Sequence, residues 1–449
     1  MKTLSRRDFM RAALMSGTAL ASMGLVGCSS SDGGSQDTGG TSESSTAAGN
    51  GTTAQTTSEE EITLAFWTLA LTPTYTDYIQ GLIDAYEEEH PNITIEWQDL
   101  PWDGIQDKFL AQTAGGNPPD VVNIWSQLAL TYGGKGALLD LEEYVTEEQK
   151  SIYLESAYDS ARLGDSVYAL PWYATPNITV YNTELFDQAG ITEVPKTYDE
   201  LFDAAVEFHD KTGAYLFTPS TVFHMFYAYG IEMLDESKTT ATFNNEEALE
   251  LLNRLKEVGD AGAIQTDPGT WDNWDNDRQL YANEKLAMIV GGAQTVTRLR
   301  DEAGEDIMNS TAVCEAVVGP ANVSAEAIMK LVVSSGSKHP EEAIDFANFV
   351  TNDENQLDFC KLVSIFPTTK VASQDEFFQS DMETLEGLAS YYCSISAQNA
   401  TDMTLGISQD EDVKGEIDNI MDMIFASDMT PQEALDAAEE SVNALLQEQ

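Results

Sequence analysis

Seven tryptophans are spread along the chain, and several stand beside amide or carboxylate side chains. Trp125 lies between Asn123 and Gln127. Trp172 is joined to Tyr173, with Asn177 shortly after, and Trp271 and Trp274 bracket a polar loop that ends in Asp277. Trp67 closes an alternating apolar run. A flat ring can receive an apolar C–H face, and an amide or carboxylate can receive a hydroxyl, a combination suited to a ligand with both apolar faces and hydroxyl groups. Trp67, Trp125, Trp172, Tyr173, Trp271 and Trp274 are therefore candidate platforms, and Asn123, Gln127, Asn177 and Asp277 candidate hydroxyl partners. The competing use of such rings is to fill core, where large aromatics usually end up. Trp97 and Trp102 are assigned to packing or to the surface.

Other chemistries find less support. Neither a phosphate-binding P-loop nor a Gly-x-Ser-x-Gly elbow is present. His90, His209, His224 and His339 do not pair in any ligand spacing, so no transition-metal site is expected, and no cofactor. The run Asp272 to Asp277 alternates carboxylates as a calcium loop would, but it lacks the central glycine and the distant glutamate. With 76 Asp and Glu against 22 Lys and Arg, carboxylate pairs are everywhere, and a glycosidase acid/base pair cannot be singled out by eye. The formal charge of −54 repels a phosphate backbone and excludes a nucleic-acid partner.

The start of the chain reads as an address. Ser5-Arg6-Arg7-Asp8-Phe9-Met10 is of the twin-arginine export type, and an uncharged small-residue run from Ala12 to Val26 follows, too short for a membrane span. Leu25-Val26-Gly27-Cys28 has the form of a bacterial lipobox. Residues 1–27 are thus expected to be a signal peptide, Cys28 the lipidated first residue, and 28–58 a Ser/Thr/Gly tether that cannot build a core. As a flexible coil such a tether reaches roughly 30 Å. Cys314, Cys360 and Cys393 remain, an odd number that permits at most one disulfide and selects none.

At 449 residues the chain exceeds what one core usually sustains, so at least two lobes are expected. Ile62 to Trp67 alternates as a strand, Tyr75 to Glu89 carries Ile79, Leu82, Ile83 and Tyr86 on one helical face, and Asn92 to Trp97 alternates again. That is a β-α-β unit with parallel strands. Turn residues Gly115 to Asp120 feed a short buried strand, Val121 to Ile124. Ligand sites in such sheets favour the carboxyl ends of strands, where Trp67, Trp125 and Trp172 fall. Farther on, Thr197-x-x-Glu200 has capping-box spacing, Asn245 to Val258 has a helical apolar stripe, and Leu286–Val290 and Met329–Ser334 read as strands. Pro340 occupies a first helical position, and a capped amphipathic helix closes the chain after Thr430.

The ordered series Trp67, Trp97, Ala114-Gly115-Gly116-Asn117-Pro118-Pro119-Asp120-Val121, Lys135 to Leu141, Tyr168 to Trp172, Tyr181 to Phe186, Ala189-Gly190, Pro195 to Leu201 and Ala287 to Gly292 resembles the extracellular solute-binding family 1, the sugar-binding lipoproteins of ABC importers. The resemblance implies an α/β, two-lobed, periplasmic-binding-protein-like fold whose discontinuous lobes are joined by three hinge crossings, at Ala174–Asn177, Gly291–Gly292 and Ser334–Lys338. One lobe is then 59–174 with 292–334, and the other 177–290 with 338–449. It also implies a cleft reached by Trp172, Tyr173 and a late loop at Phe366, a monomer anchored through its lipid to the outer face of the cytoplasmic membrane, and ABC permease subunits as partners. Members that bind malto-oligosaccharides carry an aromatic after the paired glycines, where this chain reads Ala293-Gln294, so no maltodextrin is implied. A same-fold binder of a polyamine, a glycerol phosphodiester or a peptide, an extracellular carbohydrate-active enzyme, and an adhesive surface protein stay open as alternatives.

Overall fold

The computed structural model describes residues 61–447 apart from 272 and 381. Cys28, the twin-arginine segment and the tether lie outside the described residues. β1 (Ile62–Leu69) and β2 (Ile93–Leu100) run parallel and in register from Ile62 opposite Ile93 to Leu69 opposite Leu100. The helix Thr76–Glu89 between them buries the predicted stripe Ile79, Leu82, Ile83 and Tyr86. β3 (Val121–Trp125) pairs parallel with the other edge of β1.

Beyond a two-residue hairpin, β4 (Arg162–Leu163) with β5 (Ser166–Val167), the chain enters β6 (Leu170–Pro176) and then β7 (Ile178–Asn182), separated only by Asn177. The two strands belong to different sheets. β7 is the centre of a three-stranded sheet with β8 (Met288–Gly291) and β9 (Thr311–Glu315), both antiparallel to it. β6 lies in a seven-stranded sheet completed by β10 (Ser324–Val333), β11 (Phe366–Pro367) and β12 (Ala400–Asp402), in the order β11-β6-β10-β3-β1-β2. β12 pairs parallel with the first residues of β10, and β3 pairs antiparallel with its last.

Two large apolar cores result. One gathers around the seven-stranded sheet with the helices Thr76–Glu89, Pro340–Val350 and Asp353–Val363. The other is built by the helices Tyr198–Thr212, Val222–Tyr229, Glu246–Asp260, Asp410–Phe425 and Pro431–Leu446. Lobe boundaries drawn from turn residues do not match this packing. The turn Ser334–Lys338 is no crossing: Ser334 N–H donates to the Asp120 carbonyl, Ser335 N–H to Ala137, and the Ser337 hydroxyl to the Asp120 carboxylate, so the chain stays on the first sheet. The helix Pro340–Val350 behind it, assigned by sequence to the second lobe, packs on β3, β6 and β10. β9, assigned to the first lobe, pairs with β7.

Candidate functional site

A cavity of about 500 Å³ lies between the two cores. Its first wall comes from the ends of β3 and β10: Trp125, Gln127, residues 325–329, and Asn177 in the one-residue link. The opposite wall comes from Tyr198, the segment Phe217 to Ser220, His224, Trp274, Asp277 and β8 with Gly291 and Gly292. Asp402, Met403, Glu411 and Lys414 close the third side.

Local chemistry explains why these side chains point where they do. Trp125 is the last residue of β3, so its ring leaves the sheet where the strand ends, and its Nε1–H donates to Glu411 Oε2 at 3.3 Å. Trp102 stands beside it, ring centroids 6.3 Å apart, with 51% of its surface exposed. Gln127 donates to the Met403 carbonyl at 2.8 Å. Asn273 caps the helix Trp274–Ala282 by accepting from Asn276 N–H at 3.0 Å, which sets Trp274 and Asp277 on its first turn. The Arg278 guanidinium lies 4.8 Å from the Trp274 ring centroid, Trp274 Nε1–H finds no acceptor among the described residues, and Asp277 accepts from the Thr218 hydroxyl at 2.9 Å. Gly291 lets Trp274 approach: a Cβ there would stand 3.1 Å from Nε1.

Of the sequence-predicted residues, the structure brings Trp125, Gln127, Asn177, Trp274 and Asp277 to one cavity and leaves the others elsewhere. Trp172 is 1% exposed, stacked on Phe359 at 5.0 Å and tilted against Phe66. Tyr173 is buried beside it and touches the same Phe359 ring. The reading of this pair as a ligand platform is therefore corrected: β6 is an interior strand between β10 and β11, and the helix Asp353–Val363 covers the face these rings occupy. Trp67 is buried at the end of β1 under the Lys108 ammonium, 4.4 Å from its ring. Asn123 is inaccessible and donates to the Lys330 carbonyl, and Phe366 packs on Phe378. Trp271 packs on Phe425 and donates to the Gln265 carbonyl, away from the cavity.

Sequence reasoning missed Trp102, Tyr198, Phe217, His224, Glu326, Asp402, Glu411 and Lys414. Trp102 follows Pro101 just after β2, and its neighbourhood to β3 could have marked it. The acids carried no signal, being a few among 76. Burial, reinforced by the Asp402 charge and opposed by Lys330, pushes the Glu326 carboxyl up to about 7. Burial also raises Asp402, while Lys330 and the Ser126 hydroxyl pull it back. Lys330 is lowered to about 8 by its own burial, with the two acids resisting. Among the described residues no His, Cys, Asp and Glu group has the arrangement of a metal site.

Two separate sheets, joined end to end through Asn177 between β6 and β7, with a cavity between the two cores, make a fold of the periplasmic-binding-protein type. Residues 72–357 match the profile of the bacterial extracellular solute-binding proteins, and the chain belongs to that family. A Brucella abortus protein described as a binding protein is 22% identical over 398 residues, 86% of this chain and 93% of its own length. The diacetylchitobiose binding protein DasA of Streptomyces coelicolor is 33% identical over 120 residues, 27% of this chain and 28% of its own. The fold is also that of a Synechococcus sp. MITs9220 chain described as an oligosaccharide periplasmic-binding protein. That structure superposes with a TM-score of 0.79 at 22% identity, covering 86% of this chain and 99% of the other.

Proposed function

We propose that this protein is the extracytoplasmic solute-binding component of an ABC importer and that it captures a mono- or oligosaccharide in the cavity between its two cores. The carrying observation is the lining: Trp102, Trp125, Tyr198, Phe217 and Trp274 supply aromatic surface, and Gln127, Asn177 and Asp277 supply polar groups among them. Rings can take the C–H faces of a sugar and the polar groups its hydroxyls. That relatives bind diacetylchitobiose or are described as oligosaccharide-binding supports the same class. Walls drawn from both cores allow the ligand to stabilise a closed form, with Asn177 and Gly291–Gly292 as hinge, to the extent that it touches both sides. In this reading Cys28 carries the lipid, the tether spaces the binding unit from the membrane, and the loaded form is handed to permease subunits. No bond is made or broken.

A panel of mono- and oligosaccharides in differential scanning calorimetry tests the ligand class, because a binder raises Tm by mass action. At least one saccharide should raise Tm and give a matching titration heat. A panel with neither effect refutes the carbohydrate reading. The carboxylates of the cavity motivate a cationic solute as the second reading.

A further inference from the structure

Of the seven tryptophans, Trp102 alone is more than half exposed, at 51%. An isolated apolar side chain in water needs no explanation. This ring is not isolated: it faces solvent and also lines the cavity, which places it at the rim. Beside it stands the half-buried Trp125, with ring centroids 6.3 Å apart and ring planes at 39°. The two indoles form one aromatic strip, closed in at Trp125 and open at Trp102.

The strip is held in shape before any ligand arrives. Trp125 ends β3, and its Nε1–H bond to Glu411 Oε2 at 3.3 Å fixes the inner ring. Trp102 opens the short turn Trp102–Gly104, in which Gly104 N–H donates to the Pro101 carbonyl at 3.1 Å. Pro101 has its φ restricted by its own ring. Buried residues anchor both ends of this turn: Leu100 closes β2, and Ile105 begins the helix Ile105–Ala114. An indole has only two side-chain torsions, so a ring carried on such a turn has little freedom left to lose on binding.

The length of the strip bears on the length of the ligand. Two neighbouring rings offer a face to each of two successive sugar units, and the outer ring is reached only by a chain that leaves the cavity. A single sugar seated among Asn177, Gly291 and Trp274 would leave Trp102 in water. We propose that Trp102 is an outer subsite and that the preferred ligand is an oligosaccharide whose chain leaves the cavity over Trp125 and Trp102. The inference rests on the carbohydrate reading and adds to it the size of the ligand and the path of its chain. Stacking requires an apolar C–H face and no particular pattern of hydroxyls. Trp102 therefore sets a preference for length, and the polar groups farther in set the preference for one sugar over another.

The test is isothermal titration calorimetry of the full-length protein with cello-, manno- and N-acetylchito-oligosaccharides, each from monomer to pentamer. In at least one series the affinity should climb by about tenfold or more from monomer to trimer or tetramer and then level off, once the chain has passed Trp102. Trp102→Ala should shrink that gain by about tenfold, so that its loss of affinity grows with chain length, and Trp102→Phe, which keeps a flat ring, should restore most of it. Melting curves of the ligand-free variants should lie close to that of the wild type, since the ring is exposed. A monomer that binds as tightly as its pentamer, or a loss in Trp102→Ala that is equal at every length, overturns the inference and leaves the carbohydrate reading standing. Absence of binding in all the series overturns both.

Discussion

The two aromatic pairs of this protein show how little a residue type says about its task. Trp172 and Tyr173 look like a platform in sequence, yet β6 is flanked on both edges and covered by Phe359, and the rings are core. Nothing in the local sequence reveals that cover, because Phe359 arrives from a helix far along the chain. Trp172→Ala should cost about 3–5 kcal/mol of stability, the scale for emptying an aromatic site in a packed interior. Chemical denaturation measures it, and a loss below about 1 kcal/mol would return Trp172 to the cavity. Trp125→Ala should behave in the opposite way. Its ring stands at a strand end beside the exposed Trp102, so removing it should weaken saccharide binding by about 1–2 kcal/mol while Tm moves little. Titration calorimetry together with a melting curve separates the two outcomes.

Elements were more legible than their partners. Thr197 caps the helix Tyr198–Thr212 by accepting from Glu200 N–H at 3.2 Å, although the Glu200 carboxylate returns to Lys196 N–H rather than closing the box on Thr197. Thr430 and Glu433 close theirs in full, with Pro431 at the first helical position. Caps and 3.6-residue stripes are short-range signals and survive without knowledge of the fold. The pairing of β12 with β10, which sets Asp402 beside Glu326, is long-range; β12 is three residues long and carries no pattern of its own. The same holds for Gly319, whose role appears only in three dimensions. A Cβ there would lie 2.2 Å from the Ala228 carbonyl oxygen, and backbone cannot turn aside as a side chain can. Gly319→Ala should destabilise by about 1–3 kcal/mol, read from the shift in denaturation midpoint. Because Ala228 and Val317 line the cavity, ligand affinity should fall with it.

At the scale of the molecule, acidity becomes a property of stability. A formal charge of −54 repels itself in the compact state. Desolvated acids add a specific term: the half-buried Glu326 rises from an ordinary 4.5 to about 7, and the fully buried Asp410 from 3.8 to about 7, in both cases chiefly through loss of solvation. A raised carboxyl means that the folded form binds more protons than the unfolded one between those values. Its stabilising contribution is complete below the unfolded pKa and is lost as pH rises through the folded one. Lowering pH from about 7.5 to about 5.5 should therefore raise the Tm of the ligand-free protein. Asp410→Asn should flatten that rise; a Tm that falls over the same interval would refute the assignment. The α/β, periplasmic-binding-protein-like architecture was legible from an ordered series of motifs. The lobe boundaries were not, since Ser334–Lys338 has the residues of a linker but folds as a turn pinned to Asp120.

The partition of the tryptophans between interior and cavity has an optical consequence. Trp67 and Trp172 are sealed from solvent and should emit at short wavelength with an intensity indifferent to ligand. Trp102, Trp125 and Trp274 line the space that the ligand fills, so occupancy should change their exposure, their quenching by neighbouring carboxylates, or both. The protein thus carries a built-in emission reporter of its own loading, with the sealed rings as an internal standard.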